Sequence, residues 1–173
     1  MISKKLFRFS STLIIVLLLI NIFSFNSYAI NDVKDHWAEK VILEWTNNGL
    51  ARGYPDNTFK PNNHITRAEF MNLVNNAFLF TKEESIEFAD VQEDKWYYSA
   101  IKRAKAAGYI TGFPDGSIKP ENPITRQEVA AIIARILNLE KYEEGGEAFV
   151  DKDKFTWSKG YIGAVTKEKY MVG

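Results

Sequence analysis

Apolar residues recur at the spacing of an amphipathic helix in two kinds of stretch along this chain. The first kind is formed after Trp37 by Ala38, Val41, Ile42 and Trp45, and again by Tyr97, Ala100, Ile101 and Ala104. The second kind is formed by Phe70, Leu73, Val74, Ala77 and Phe78, and again by Val129, Ile132, Ile133, Ile136 and Leu137. Positions i, i+3, i+4 and i+7 lie on one face of a helix, so these stretches predict an all-α fold with these residues in its core.

The stretches belong to an internal repeat. Trp37 and Trp96, like Arg67 and Arg126, are separated by 59 positions. Residues shared by the two copies include the polar Asp56, Lys60, Asn63, Thr66, Arg67 and Glu69, which apolar periodicity alone would not produce. A repeat of this length predicts a modular array whose units pack on each other, because one helical hairpin cannot bury its own apolar stripes.

Each copy has the pattern of a helix, a loop rich in glycine and proline, and a second, capped helix. Gly49 and Gly108 suit the left-handed position that follows a helix end. Thr66 with Glu69, and Thr125 with Glu128, have the spacing of a capping box. In that motif the threonine hydroxyl accepts a backbone N–H three residues on, and the glutamate reaches back.

Only the first part of a third copy of the repeat is present. Phe149-Val150-Asp151 matches Phe88-Ala89-Asp90, and Ser158, Tyr161, Ile162 and Val165 reproduce the first helical stripe, weakened by the serine. The copy ends at Gly173 without its loop and capped helix, and Lys169 replaces the glycine of the other copies. We expect this chain to be less stable, and to bind more weakly, than one extended through a third capped helix.

The first 29 residues have a different character. Lys4, Lys5 and Arg8 precede an apolar segment from residue 13 to about residue 25, and Ser27-Tyr28-Ala29 supplies small residues before a cleavage point. This order predicts a secretory signal peptide that is removed before Ile30. A retained transmembrane anchor is the alternative, but the uninterrupted apolar run is short for a span.

We therefore divide the chain into a signal peptide over residues 1–29, a first repeat with its linker over 30–87, a second repeat with its linker over 88–148, and an incomplete third repeat over 149–173. The chain has 22 basic and 22 acidic residues, so no excess of positive charge favours nucleic acid as a partner. It has no cysteine, which excludes disulfides and lipid attachment at a cysteine. We expect a secreted protein with no membrane contact after cleavage.

The order of these motifs resembles the S-layer homology module of bacterial cell-envelope proteins. The resemblance rests on Phe88-Ala89-Asp90-Val91 and on the stretches Gly53 to Glu69 and Gly112 to Glu128, and it covers nearly everything after Ala29. It implies tandem helix–loop–helix modules packed as a pseudo-threefold bundle. It also implies non-covalent anchoring to the Gram-positive wall through a pyruvylated secondary polysaccharide, with S-layer lattice subunits as further partners.

A protein that binds an acidic sugar needs cations, free helix-start amides and a flat apolar face. Arg67 and Arg126 follow Thr66 and Thr125 at the first turn of a helix, where unpaired amides favour an anion. The planar guanidinium also matches a carboxylate. From chemistry alone, each arginine is equally a ligand residue or part of a structural ion pair. The family resemblance favours the ligand role.

Other candidates lie in the loops. Lys60 and Lys119, at the loop exits, could add positive charge. Asp56 and Asp115 follow prolines and more often close a turn than contact a ligand. Gly116 permits a positive φ or a close approach by sugar.

The tryptophans at the start of the first helix in each copy are the last candidates. We expect most of the rings of Trp37, Trp96 and Trp157 to be buried, with one edge exposed for sugar stacking. The predicted polysaccharide-binding set is therefore Arg67, Arg126, Thr66, Thr125, Lys60, Lys119, Asp56, Asp115, Gly116, Trp37 and Trp96.

No catalytic site, cofactor or metal is predicted. His36 and His64 are the only histidines, and they occupy non-equivalent positions outside any metal-binding spacing. The capping boxes account for Glu69 and Glu128 without a catalytic role. Asp151-Lys152-Asp153 lacks the glycine and the final glutamate of an EF-hand.

The sequence therefore predicts a non-enzymatic anchor for the cell wall. Three alternatives stay open. The modules could anchor an envelope enzyme whose catalytic domain lies beyond Gly173, they could anchor a structural lattice subunit, or they could form a helical array that binds other proteins.

Overall fold

The computed structural model describes residues 30–172, which are helical and contain no strands. This confirms the predicted all-α fold. The six α-helices of the described chain are α1 (Glu39–Asn47), α2 (Arg67–Ala77), α3 (Tyr98–Ala106), α4 (Arg126–Ile136), α5 (Glu143–Gly146) and α6 (Lys159–Lys167), with a 3-10 turn at Lys152–Lys154. The predicted signal peptide, residues 1–29, and Gly173 lie outside the described residues. Within residues 30–172, every helix is too short or too polar to cross a membrane.

The ends of the first helices agree with the sequence prediction. Gly49 after α1 has a φ of 71°, and Gly108 after α3 has a φ of 76°. Lys169 takes the same position after α6 with a φ of 59°. This left-handed conformation brings Cβ too close to the following carbonyl in residues other than glycine. At this position the third repeat therefore carries local backbone strain that the other two avoid.

Both capped helices begin as predicted. The Thr66 side chain accepts a hydrogen bond from the Glu69 N–H, and the Thr66 N–H donates to the Glu69 carboxylate at 2.7 Å. Thr125 and Glu128 form the same reciprocal pair, with the Thr125 N–H 2.8 Å from the carboxylate. Both capping boxes are confirmed.

The predicted stripe is correct for α3 and wrong for α1. Tyr97, Ala100, Ile101 and Ala104 are all buried. In α1 only Ile42 is buried, whereas Val41 and Trp45 are exposed. The difference arises because α3 packs on the capped helix α2 of the preceding repeat, and no preceding capped helix lies against α1 within the described residues.

The buried face of the capped helices also differs from the prediction. Of the predicted α2 stripe only Val74 is buried, while Ala77 and Phe78 are exposed. In α4 only Ile132 of the predicted set is buried. The buried positions are instead Ala68, Met71 and Asn75 in α2, and Ala130, Ala131 and Ala134 in α4. The alanines among them let the next repeat's first helix approach closely, and the bulkier residues of the predicted stripes flank that contact half-buried.

The hydrophobic core therefore lies between repeats. One cluster joins α2 to α3 and the second loop through Met71, Ile101 and Ile118. A second cluster joins α4 to α6 through Ala134, Ile162 and Val165. Each capped helix packs on the first helix of the following repeat, which agrees with the prediction that one hairpin cannot bury its apolar stripes alone.

Backbone hydrogen bonds reinforce the first junction. The Arg67 N–H donates to the Asn122 carbonyl at 2.9 Å, and the Ala68 N–H donates to the Pro120 carbonyl at 2.9 Å. The Ile124 N–H donates to the Ile65 carbonyl at 3.0 Å. The second loop thus satisfies the orphan amides at the start of α2, and the two repeats are held in one register.

Candidate binding groove between the second and third repeats

A groove of about 520 Å³ lies between the second repeat and the start of the third. We call it the repeat 2–3 groove. Its walls are the loop from Tyr109 to Ile118, one face of α4 and the ring of Trp157. The side chains that matter for its chemistry are those of Arg67, Phe113, Gln127, Glu128, Arg135 and Trp157.

Two aspartates fix the loop that forms one wall of this groove. Asp115 accepts hydrogen bonds from the Ser117 N–H and hydroxyl at 3.0 and 2.6 Å. This is the turn-closing role expected for it. The Asp90 carboxylate accepts from the Ile118 and Lys119 N–H groups at 2.9 and 2.7 Å. Gly116, with a φ of 77° and open space around it, completes the turn.

The first repeat builds its loop in the same way. Asp56 accepts from the Thr58 N–H at 3.1 Å, and Asp32 accepts from the Phe59 and Lys60 N–H groups at 2.7 Å each. The roles of Asp32 and Asp90 were not predicted from the sequence. The Phe88-Ala89-Asp90-Val91 motif was visible, but nothing in the spacing shows that its carboxylate binds a loop nearly thirty residues later.

Arg67 is buried at the first junction, 7% exposed. Its Nη1 lies 2.6 Å from Glu128 Oε1, and its Nε donates to the Ile118 carbonyl at 2.7 Å. The guanidinium also lies over the Phe113 ring, 4.8 Å from the centroid. Burial lowers the pKa of Arg67, and the charge of Glu128 opposes that shift. Of the two roles left open, the geometry gives Arg67 the structural ion pair.

Arg126, at the equivalent position, has different surroundings. Its side chain is exposed, and its Nη2 donates to the Val172 carbonyl at 2.6 Å. It lines a second cavity, of about 540 Å³, with Phe149, Phe155 and Met171, rather than the repeat 2–3 groove. The structure therefore does not bring the two candidate arginines into one site.

The two loop lysines are paired within their own loops. Lys60 Nζ lies 3.2 Å from the Asp56 carboxylate, and Lys119 Nζ lies 3.5 Å from that of Asp115. The Lys60 and Lys119 ammonium groups also lie over the Tyr54 and Phe113 rings, each 4.3 Å from the centroid. These contacts hold the lysines along the loop surface, where they partly neutralise the aspartates.

The two predicted helix-start sites differ as well. Thr66 and its capping partner lie at the start of α2, where the Arg67 and Ala68 amides are already hydrogen-bonded to the second loop. At the start of α4, Thr125 caps in the same way, and no carbonyl of residues 30–172 accepts from the Arg126 or Gln127 amide. Of these two helix starts, only that of α4 has the free amides predicted for both.

The expectation that the tryptophans are mostly buried is wrong. Trp37, Trp96 and Trp157 are 91%, 62% and 51% exposed. All three precede the first turn of a helix. Trp157 forms a wall of the repeat 2–3 groove and packs edge-on to Tyr161, with ring centroids 6.4 Å apart. An exposed indole face of this kind suits stacking against a sugar ring.

Arg135 is a groove residue that was not predicted from the sequence. It lies on α4, and its Nη1 donates to the Tyr109 carbonyl at 3.1 Å. Its guanidinium lies 5.3 Å from the centroid of the Tyr161 ring. It stands between Ile133 and Ile136 of the predicted core stripe, and no motif marks it.

The groove combines an aromatic face, a half-buried cation and side-chain amide and backbone groups. Its one carboxylate, Glu128, accepts from Arg67, from the Thr125 N–H and from the Thr125 hydroxyl. A carboxylate used in this way is poorly placed to transfer protons. The arrangement suits the binding of a sugar rather than chemistry on it.

Comparison with known proteins gives a family. A sequence model of the S-layer homology domain matches residues 29–71 and 87–130, just over half of the chain. "Cell surface glycoprotein 1" of Acetivibrio thermocellus is 35% identical over 144 residues, which is 76% of this chain and 6% of that protein. The "Cellulosome-anchoring protein" of the same organism is 39% identical over 119 residues, 65% of this chain and 26% of that protein.

Other relatives include proteins with surface-layer names and proteins with enzyme names. "Surface-layer 125 kDa protein" of Lysinibacillus sphaericus is 29% identical over 127 residues, 73% of this chain and 11% of that protein. Some relatives have enzyme names. "Exoglucanase XynX" of Acetivibrio thermocellus matches over 82% of this chain but 13% of its own length. The chain thus spans a small part of each of these curated relatives, and the similarity does not extend to the greater part of any of them.

Proposed function

The chain belongs to the S-layer homology domain family, and on that premise we propose that it anchors an exported protein to the cell wall by binding an acidic, pyruvylated wall polysaccharide. The domain is an anchoring domain rather than a catalytic one, and its relatives include surface-layer proteins. The polysaccharide is the finer part of the proposal, and it rests on the chemistry of the repeat 2–3 groove.

The observation that carries the proposal is the half-exposed Trp157 ring on the wall of a groove of sugar size. Stacking on an indole face and hydrogen bonds to nearby polar groups are the ordinary means of holding a sugar ring. Gln127 and the backbone of the second loop line the same groove and supply such groups. Neither the indole face nor these hydrogen-bonding groups require a catalytic residue.

The candidate residues divide into two roles under this proposal. Trp157 contacts the sugar. Trp96 has the equivalent position in the second repeat but does not line this groove. Arg67, Thr66 and Thr125, together with Asp56, Asp115, Lys60, Lys119 and Gly116, hold the loops and helix starts in place. Arg126 and Trp37 lie outside this groove, so we assign them no contact with the polymer there.

The test is a binding assay with purified wall polysaccharide. We expect Trp157→Ala to weaken binding by roughly tenfold or more, because loss of a stacked aromatic side chain costs about 1–3 kcal/mol where nucleic-acid bases stack on proteins, and we take a similar cost for a sugar ring. Trp37→Ala removes an even more exposed indole outside the groove and should bind as the unchanged chain does. Circular dichroism of both variants checks that the helices are intact.

Two results would count against the proposal. Unaltered binding by Trp157→Ala would show that the groove is not the site. Equal binding to polysaccharide before and after removal of its pyruvyl groups would exclude the pyruvylated substituent as a determinant of affinity.

A further inference from the structure

The first helix of the first repeat has an apolar surface that the rest of the described chain leaves uncovered. Val41 and Trp45 stand four residues apart, so they lie on one side of α1. They are 48% and 40% exposed, whereas Ile42 is the buried residue of this helix. Helix α1 therefore packs on the molecule through Ile42 and presents Val41 and Trp45, which we call the α1 stripe, to solvent.

The equivalent positions are covered in the second repeat. Val41 and Trp45 correspond to Ala100 and Ala104, which are 5% and 0% exposed where α3 packs on α2. The two capped helices of residues 30–172 are already in use, since α2 packs on α3 and α4 packs on α6. The side chains of the α1 stripe are also larger than these alanines. A helix on the α1 stripe must therefore lie farther from α1 than α2 lies from α3.

Two opposite charges border the α1 stripe. Lys40 and Glu44 come one position before Val41 and Trp45, and both are exposed. Neither takes part in the salt bridges among residues 30–172. Within a single helix, a lysine four residues before a glutamate is the less favourable order for an ion pair. Both charges are therefore available to a partner.

We propose that α1 is a self-association surface, on which α1 of a second copy of this chain packs in antiparallel orientation. A two-fold axis between two antiparallel helices brings the same flank of each helix together. Lys40 then lies opposite Glu44 of the partner subunit, and Val41 lies opposite Trp45 of the partner subunit. The α1 stripe and its charges are thus complementary to their own rotated copy.

The charges also select the orientation. A parallel pair would place the charged flank of one helix beside the other flank of its partner, so Lys40 and Glu44 would both lack a counter-charge. The antiparallel pair satisfies each charge twice, once in each copy. It also sets a medium-sized side chain against a large one at both symmetric contacts, which is a better fit than two tryptophans face to face.

Self-association through α1 leaves the polymer site open. The residues that line the repeat 2–3 groove belong to the second and third repeats, apart from Arg67 on α2. Two paired chains would therefore present two grooves to one polymer, which raises the avidity for a repetitive ligand. The pairing needs no polymer, so it does not rest on the proposed function and is tested separately from it.

Sedimentation equilibrium of the exported chain over a range of protein concentrations is the test. We expect a monomer–dimer equilibrium. Trp45→Ala supplies the residue found at Ala104 and should raise the dimer dissociation constant at least about thirtyfold, because buried tryptophans are the usual hot spots of an interface. Leu43→Ala is the matched control. It removes another exposed apolar side chain of α1, two positions from Val41 and turned away from the α1 stripe, and should leave the constant unchanged.

Charge exchange identifies the second copy as the occupant. Lys40→Glu and Glu44→Lys each place like charges opposite each other at both symmetric contacts, and we expect each variant alone to dimerise about tenfold more weakly. An equimolar mixture of the two variants has opposite charges at both contacts and should dimerise as the unchanged chain does. Circular dichroism of every variant checks that the helices are intact.

Three results would overturn the proposal. The first is an unchanged chain that stays monomeric at every concentration. The second is a dimer that Trp45→Ala leaves as stable as before. The third is a mixture of Lys40→Glu and Glu44→Lys that associates no better than either variant alone.

Discussion

Arg67 and Arg126 occupy the same position in consecutive repeats, and their surroundings differ. Arg67 is buried between the Ile118 carbonyl and the Glu128 carboxylate of the following repeat. Arg126 is exposed and bonds only to the Val172 carbonyl within residues 30–172. Both arginines follow an identical threonine in an identical capping box. The role of a residue in this array is therefore set by the repeat that packs on it, and not by its own motif.

The capping glutamates show the same dependence. Glu69 Oε1 accepts a hydrogen bond from the Tyr54 hydroxyl of its own repeat at 2.6 Å. Glu128 Oε1 accepts instead from Arg67 Nη1 of the preceding repeat. The residue equivalent to Tyr54 is Phe113, which has no hydroxyl and lies under the arginine. One tyrosine-to-phenylalanine difference thus accompanies the change from a contact within a repeat to a contact between repeats.

The largest expected effect is a difference in the free energy of unfolding between variants of the two arginines. Arg67→Ala leaves the partly buried Glu128 carboxylate without its cation, which costs roughly 3–5 kcal/mol for a buried ion pair. Arg126→Ala removes an exposed side chain, and we expect a change within about 0.5 kcal/mol. Urea unfolding of the two variants, followed by circular dichroism, measures the difference in free energy of unfolding.

A double-mutant cycle sharpens this result. Glu128→Gln keeps a side chain that can complete the capping box. Its coupling energy with Arg67→Ala therefore measures the interaction between the two charges. We expect a coupling of about 1–3 kcal/mol between these two positions. Equal costs for Arg67→Ala and Arg126→Ala would contradict the view that the first junction uses its arginine structurally.

The same comparison shows which structural features could be predicted from the sequence and which could not. The helices, glycine stops and capping boxes depend on residues a few positions apart, so periodicity and spacing predicted them. The burial of Arg67 depends on Glu128, which lies 61 positions away. The exposed face of α1 has the same apolar spacing as the buried face of α3. The face of α3 is buried because a preceding capped helix packs on it, and no such helix packs on α1 within the described residues. The local sequence pattern of the two helices does not show this difference.

The candidate site was predicted less well than the fold, for the same reason. Trp157 and Arg135 come together because α4 and the start of α6 belong to different repeats and pack on each other. Trp157 was noted as a repeated aromatic residue, but Arg135 was missed because it differs from its equivalent, Asn76. A search for shared motifs finds what the repeats have in common, whereas this groove is formed by residues that differ between them.

A smaller effect is expected from the tyrosine that distinguishes the capping glutamates. Tyr54→Phe gives the first repeat the residue of the second and removes the hydrogen bond to Glu69, at a cost of roughly 1–2 kcal/mol. Phe113→Tyr should change the free energy of unfolding by less than about 0.5 kcal/mol, because Glu128 already accepts from Arg67. If Phe113→Tyr raised the free energy of unfolding by as much as Tyr54→Phe lowered it, this account would be contradicted.

The Tyr54 contact also predicts a pH dependence. The hydrogen bond from Tyr54 to Glu69, followed by burial, raises the pKa of the tyrosine from 10.0 to about 12. A raised pKa means that the contribution to stability is fully present below the unfolded pKa and is lost as the pH rises through the folded pKa. The difference in unfolding free energy between the unchanged chain and Tyr54→Phe should therefore shrink between pH 10 and about 12. Urea unfolding across that range measures it, and a constant difference would contradict the assignment.

The smallest expected effect concerns the helix ends, where the third repeat again departs from the first two. Lys169 has a φ of 59°, whereas Gly49 and Gly108 take the same position without strain. Lys169→Gly should relieve the left-handed strain but add freedom to the unfolded chain, for a net gain of roughly 0.5–1 kcal/mol. Lys40→Gly, on the exposed side of α1, should instead lose roughly 0.5–1 kcal/mol. Thermal melts of the two variants compare them under one condition. A melting temperature that falls in both would show that the end of α6 tolerates lysine at no cost, and that the third repeat is as well terminated as the other two.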